Sequence, residues 1–429
     1  MRRMTLTGFA LAGLVWAGTN DTFLIRDVAL HPVSGPDIPV TSVLVRDGLI
    51  AEIAAKIAAP KGMKVIEGKG LHLFPGMIDS ATTLGLAEIG AVRETSDVAE
   101  IGDFNPQLRA LIAVNPSSEH IPVARANGIT SAIALPGGGV ISGQAGLMHL
   151  DGWTWEEMDV KRSAAIHLRF PVISMAAEGG PGFGRGGGAG RITFTEAKRK
   201  HEEALLKLRL FFEDARRYRQ AKAAGGVGFQ TDRKLEAMLP ALEGKQQVMV
   251  TAARKRTIGE ALEFAKRESI KIVLAGCREF TPELLKEIKA RNIAVILPET
   301  LDLPLDEDDP YDAIYTLPAD LHRAGILFAF ATFNSSAVRN LPYQAAASVP
   351  FGLEREDALK AVTINAAKIW GVDDRIGSVE KGKWADLVLA DGDLLETRTT
   401  IKQMWIRGKA VDLESRHTKL SDRYISRPN

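Results

Sequence analysis

The chain has 429 residues, 45% hydrophobic and 25% charged, with a formal net charge of +1. This is an ordinary globular composition, long enough to bury a large core as one big domain or two modest ones. A balanced charge supplies no field for nucleic acid or an anionic membrane, and one cysteine, Cys277, excludes an intrachain disulfide and a thiolate-cluster metal site.

At the N-terminus, Arg2 and Arg3 precede an apolar run from Leu6 to Ala17, followed by Gly18 and polar Thr19-Asn20-Asp21. That layout predicts a signal peptide over residues 1–18, too short to span a bilayer, and hence an exported protein, periplasmic or secreted. No nucleic-acid partner is expected, and no membrane contact once the signal is removed. Residues 22–30, 42–46, 49–53 and 64–67 read as short strands between Pro, Gly and Asp turn signals, with Asp47-Gly48 marking a hairpin. The far end is alike, with strands expected over 385–390, 401–407 and 410–413. Two β-rich ends around a different middle predict one small β-sandwich built from residues 19–73 and 378–429.

The middle, residues 74–377, alternates strand and helix. Strands are expected over 73–78, 129–135, 146–150, 163–168, 247–251, 271–274, 293–297 and 326–331, the number a parallel (β/α)8 TIM-like barrel needs. Apolar residues at helical spacing predict helices over 195–222, 257–268 and 281–291. The Gly-rich insertion 179–190 has no phosphate-loop Gly-Lys-Ser/Thr ending and reads as a surface lid or linker.

Residues 74–85 read Phe-Pro-Gly-Met-Ile-Asp-Ser-Ala-Thr-Thr-Leu-Gly. Pro75, Gly76, Ile78 and Asp79 match a frame that resembles the first barrel strand of the amidohydrolase superfamily, where x-His-x-His follows the aspartate. Residues 377–388 are similar to the stretch with which such enzymes return to their terminal β domain, and 358–368, with its Thr-x-Asn-x-Ala, and 371–377 resemble recurring segments of the family. The resemblance spans residues 22–412. It implies the barrel, a zinc or other divalent ion at the strand C-termini, and hydrolysis of non-peptide carbon–nitrogen bonds in amides or cyclic amides. The family takes two histidines from strand 1, one from strand 5, often one from strand 6, and an aspartate from strand 8; some members add a carboxylated lysine on strand 4. Here the histidine slots of strand 1 hold Ala81 and Thr83, and that of strand 5 holds Thr251. Strand 6 ends without histidine, strand 4 has no lysine beyond Lys161 ahead of it, and the strand 8 slot holds Phe333, or Asn334 if the register slips by one.

The expectation is therefore a member with no metal cofactor, inactive or altered in function. It would bind a small molecule in the barrel mouth or a partner, with homo- or hetero-oligomers open. The alternative is an active amidohydrolase that uses relocated ligands, His149, His167 and Glu299, or metal-free acid/base chemistry. Loops after barrel strands carry function in this fold. They offer Thr83, Arg93, Gln144, Thr251, Arg278, Asn334 and Arg339 as ligand-binding residues. His31, His72 and His417 are assigned to the β domain, and His201 and His322 to helices.

Overall fold

A computed structural model describes residues 22–175, 192–226 and 228–427. The expected signal segment and the Gly-rich stretch 179–190 lie outside them. The first strands are β1 (Phe23–Leu30), β2 (Ile38–Arg46), β3 (Leu49–Ala54), β4 (Lys64–Glu67) and β5 (His72–Pro75). Asp47 and Gly48 both have positive φ, the conformation that a two-residue hairpin turn between β2 and β3 requires. β6 (Met77–Thr82) then opens the barrel. Gly76 separates β5 from β6, because a Cβ there would sit 2.1 Å from the Thr130 Oγ1. The expected strand over 73–78 is thus two, one in each sheet.

The barrel continues through α1 (His120–Arg125), β7 (Ile129–Ala134), β8 (Ile141–His149), α2 (Trp155–Met158) and β9 (Asp159–Arg169). After α3 (Phe194–Ala224) and α4 (Arg233–Leu242) come β10 (Gln247–Thr251), α5 (Lys255–Glu268), β11 (Ile272–Ala275), α6 (Pro282–Ala290), β12 (Val295–Leu297), α7 (Ala313–Arg323) and β13 (Phe328–Phe330). Helices α8 (Leu341–Ala346), α9 (Arg355–Ala361) and α10 (Ile364–Trp370) lead back to β14 (Leu387–Ala390), β15 (Ile401–Ile406) and β16 (Lys409–Val411), and α11 (Arg416–Ile425) follows. The terminal strands form one sheet in the order β16-β15-β14-β5-β1-β2-β3, with β4 also on β1. His417 accordingly lies on α11 and not in the β domain.

The second sheet runs β13-β12-β11-β10-β9-β8-β7-β6 and is nearly closed, with the Phe333 N–H donating to the Ala81 carbonyl at 2.7 Å. It departs from the expected all-parallel barrel in one strand: β8 is antiparallel to both β7 and β9. A parallel crossover needs a dozen or more residues. Only Leu135 to Val140 separate β7 from β8, and Gly138 and Gly139 take positive φ in that turn. The strand expected over 146–150 therefore begins at Ile141 and runs the other way.

Side-chain parity sorts the barrel. Ile133, Ala145, Leu147, Ala165, Met249, Val273, Ala275, Ile296 and Ala329 form the inner core. Their neighbours Ala132, Ala134, Ile166, Val248, Val250, Leu274, Val295 and Phe328 pack outward against the helices. The inner core is rich in alanine, as a narrow barrel interior demands.

Candidate functional site

The C-terminal ends of the parallel strands define the mouth. On β6, Asp79 is fully buried and accepts from the Thr332 hydroxyl at 2.5 Å, the Thr332 N–H at 3.1 Å and the Ala81 N–H at 3.2 Å. Burial raises its pKa to about 7, more than these hydrogen bonds lower it, and the charge of Glu299 adds to the rise. Glu299 follows β12 half-buried; burial, then Asp302, push its pKa up, while Arg278 pulls it down.

Across the mouth, His167 on β9 shares the inward parity of Ala165. Its Nδ1 lies 2.7 Å from the Pro136 carbonyl and its Nε2 lies 2.8 Å from the Thr251 Oγ1. A carbonyl can only accept, so Nδ1 carries the proton and Nε2 accepts from the Thr251 hydroxyl. Burial lowers the His167 pKa to about 4, and the charge of Arg169 contributes. The ring is neutral at pH 7, oriented by one bond and joined to a hydroxyl by the other.

His149 does not join this group. Because β8 is antiparallel, its last residue sits at the opposite end of the barrel, paired in register with Ser131 at the start of β7. His167 lies opposite Gly143, six residues back along β8 and so roughly 20 Å away. The His149 Nε2 is 2.7 Å from the Asp386 Oδ2, at the junction with the terminal sheet. The relocated ligand set of His149, His167 and Glu299 is thereby corrected: the hairpin at 135–140 separates its members.

The residues in the family's metal slots do not fit a metal. Ala81 is buried and has no donor atom, and Phe333 packs its ring on the inner core. Phe333 holds φ at +51°, a left-handed conformation that is uncommon for a bulky residue. The Asn334 Oδ1 is turned to its own chain and accepts from the Ser336 N–H and hydroxyl, both at 2.8 Å, and the Ala337 N–H at 3.3 Å. Lys161 is at the far end of β9 and donates to the Trp370 carbonyl. Among the described residues no group of three or more His, Cys, Asp and Glu could hold a metal ion.

Of the other expected ligand-binding residues, Thr83 and Thr251 are partly exposed at the ends of β6 and β10. Arg278 is at the rim after β11, paired with Asp302. Arg93 is exposed on a 3-10 turn of the loop after β6. Gln144 has outward parity on β8 and donates to the Pro106 carbonyl at 2.9 Å, so it faces away from the mouth. Arg339 is on the outer layer, its Nη1 2.8 Å from the His417 Nδ1 and its carbonyl bonded to Asn127 beyond α1. Two mouth residues escaped the sequence reading. Asp79 counted there only as part of the motif, and Arg169 fell one residue beyond the expected strand end, although its parity with His167 places it on the inner face.

A barrel with a composite terminal β domain and its polar groups at the strand C-termini defines a metal-dependent-hydrolase type of fold. The Amidohydrolase family model matches residues 231–411. An amidohydrolase of Thermotoga maritima is similar over 91% of this chain and 99% of its own, at 25% identity and a TM-score of 0.78. Phenylurea hydrolase B shares the fold, with a TM-score of 0.55 at 19% identity over 92% of this chain and 97% of its own. Amidohydrolase tasK of Hapsidospora irregularis is 25% identical over 400 residues, 86% of this chain; the chain spans only 39% of that relative's length. The family model, the curated relative and the structural neighbour together support membership of the amidohydrolase superfamily.

Proposed function

We propose that this chain is a metal-independent member of its superfamily whose barrel mouth binds a small organic molecule. The observation that carries this reading is the joint replacement of the ligand slots by Ala81, Thr83, Thr251 and Phe333, beside a polar set of Asp79, His167, Thr251 and Glu299. Protein purified with added zinc is expected to hold far less than one ion per chain by elemental analysis, and chelation is expected to leave its ligand binding unchanged. Near-stoichiometric metal, with chelator-sensitive turnover of an amide or cyclic amide, overturns it.

A second reading is metal-free hydrolysis, favoured by the His167–Thr251 hydrogen bond of 2.8 Å. A neutral imidazole accepting a hydroxyl proton is the arrangement a general base needs. On that reading the Thr251→Val variant loses turnover of amide substrates while chelation leaves it intact. Equal turnover by wild type and variant excludes it.

A further inference from the structure

Arg169 and Thr251 are direct register partners across the parallel β9–β10 pair. Both continue the inward parity set by Ala165 and Met249, so their side chains leave the inner face side by side at the mouth. Arg169 is exposed, and among the described residues its guanidinium has no ion-pair partner. Two rim arginines on the neighbouring strands are neutralised: Arg254 pairs with Glu279 and Asp306, and Arg278 with Asp302. The carboxylates of the mouth, Asp79 and Glu299, belong to β6 and the loop after β12, each three strands from β9 in the sheet order.

Thr251 completes the pattern. Its proton is given to the His167 Nε2, because Nδ1–H is committed to Pro136. The lone pairs of its Oγ1 remain to accept from a ligand. A free cation beside a free acceptor is complementary to an anion beside a donor.

We propose that Arg169 and the Thr251 hydroxyl form a recognition site for a ligand carboxylate whose adjacent atom carries an N–H or O–H, as in an N-acylated amino acid. This rests on the metal-independent reading of the mouth and adds the substrate class. The guanidinium presents a planar fork that matches a carboxylate, and Thr251 accepts the neighbouring N–H. The far side of the mouth, with its acids, takes the rest of the molecule.

The test is ligand-observed NMR titration of chelator-treated protein with N-acetyl-L-alanine and N-acetyl-L-leucine, their neutral primary amides, and propionate. The acids are expected to bind about tenfold tighter than their amides, and Arg169→Gln to abolish that difference. Thr251→Val is expected to reduce the acids to the affinity of propionate, which lacks the adjacent donor. Thermal melting of each variant checks that it is folded. Amides binding as tightly as acids, an Arg169→Gln variant that keeps the preference, or no binding of either acid overturns the proposal. Acid binding that appears only when zinc is restored sinks the metal-independent reading, whereas chelator-insensitive binding without carboxylate preference sinks only this inference.

Discussion

Asp79 and His167 are titratable groups displaced in opposite directions, and their effects on stability have opposite signs. A folded-state pKa near 4 keeps His167 neutral while the unfolded imidazole takes a proton near pH 6.5. The unfolded chain then binds more protons, so this contribution is full above pH 6.5 and is lost as pH falls toward 4. Asp79 holds its proton up to about pH 7, whereas the unfolded carboxyl ionises near 3.8. Its contribution is full below pH 3.8 and is lost as pH rises toward 7. The shifts correspond to about 4 kcal/mol for Asp79 and about 3 kcal/mol for His167, and between pH 4 and 6.5 their opposite slopes largely cancel. Asp79→Asn is expected to give a stability that climbs with pH through that window, and His167→Gln one that falls. Urea denaturation at a series of pH values measures both slopes; the same flat profile in either variant contradicts the corresponding assignment.

At the scale of elements, two junctions decide where the side chains point. The first is Gly76, which lets β5 end in the terminal sheet and β6 begin in the barrel. A methyl group there meets the Thr130 Oγ1 at 2.1 Å, its Cγ2 at 2.2 Å and its Cβ at 2.6 Å. Thr130 sits in β7, packed in the sheet, and cannot withdraw without moving that strand. Gly76→Ala is expected to destabilise by about 2 kcal/mol or more. In a double-mutant cycle with Thr130→Gly the combined loss should be smaller than the sum, because the second change empties the space the methyl needs. Strict additivity in denaturant melts removes this explanation. The second junction is the turn at residues 135–140. The sequence reading treated Pro136-Gly137-Gly138-Gly139 as a loop after a parallel strand, yet six residues cannot hold a crossover helix. The signal for a hairpin was in the sequence. Gly143 interrupts the apolar run ahead of Gly146, so side-chain pattern alone marks only residues 146–150 as strand. That one reversal moves His149 from the mouth to the floor of the barrel.

Over the whole molecule, the barrel and the composite β domain were legible because parity and turn residues report them locally. The residue types at the positions where the family carries its metal ligands were legible as well. The His167–Thr251 bond and the exposed Arg169 were not, because they depend on register between strands eighty residues apart in the chain. The same holds for the contact that joins the two domains. Asp386, from the segment returning to the terminal sheet, is buried and accepts the Arg407 N–H at 2.8 Å through Oδ1, while its Oδ2 bonds His149. Around it, Trp384 is flanked by the guanidinium groups of Arg375 and Arg407, at 5.1 and 4.3 Å from the ring centroid. Removing the carboxylate leaves one donor from each domain without its partner at the interface, the buried His149 Nε2 and the partly buried Arg407 N–H. Asp386→Ala is therefore expected to cost about 3 kcal/mol. Because the contact bridges the domains, the loss should also appear as lost cooperativity. Wild type is expected to unfold in one transition by calorimetry, and the variant to show an earlier, broader one as the β domain releases first. A variant that melts in a single transition at the wild-type temperature rules out this coupling.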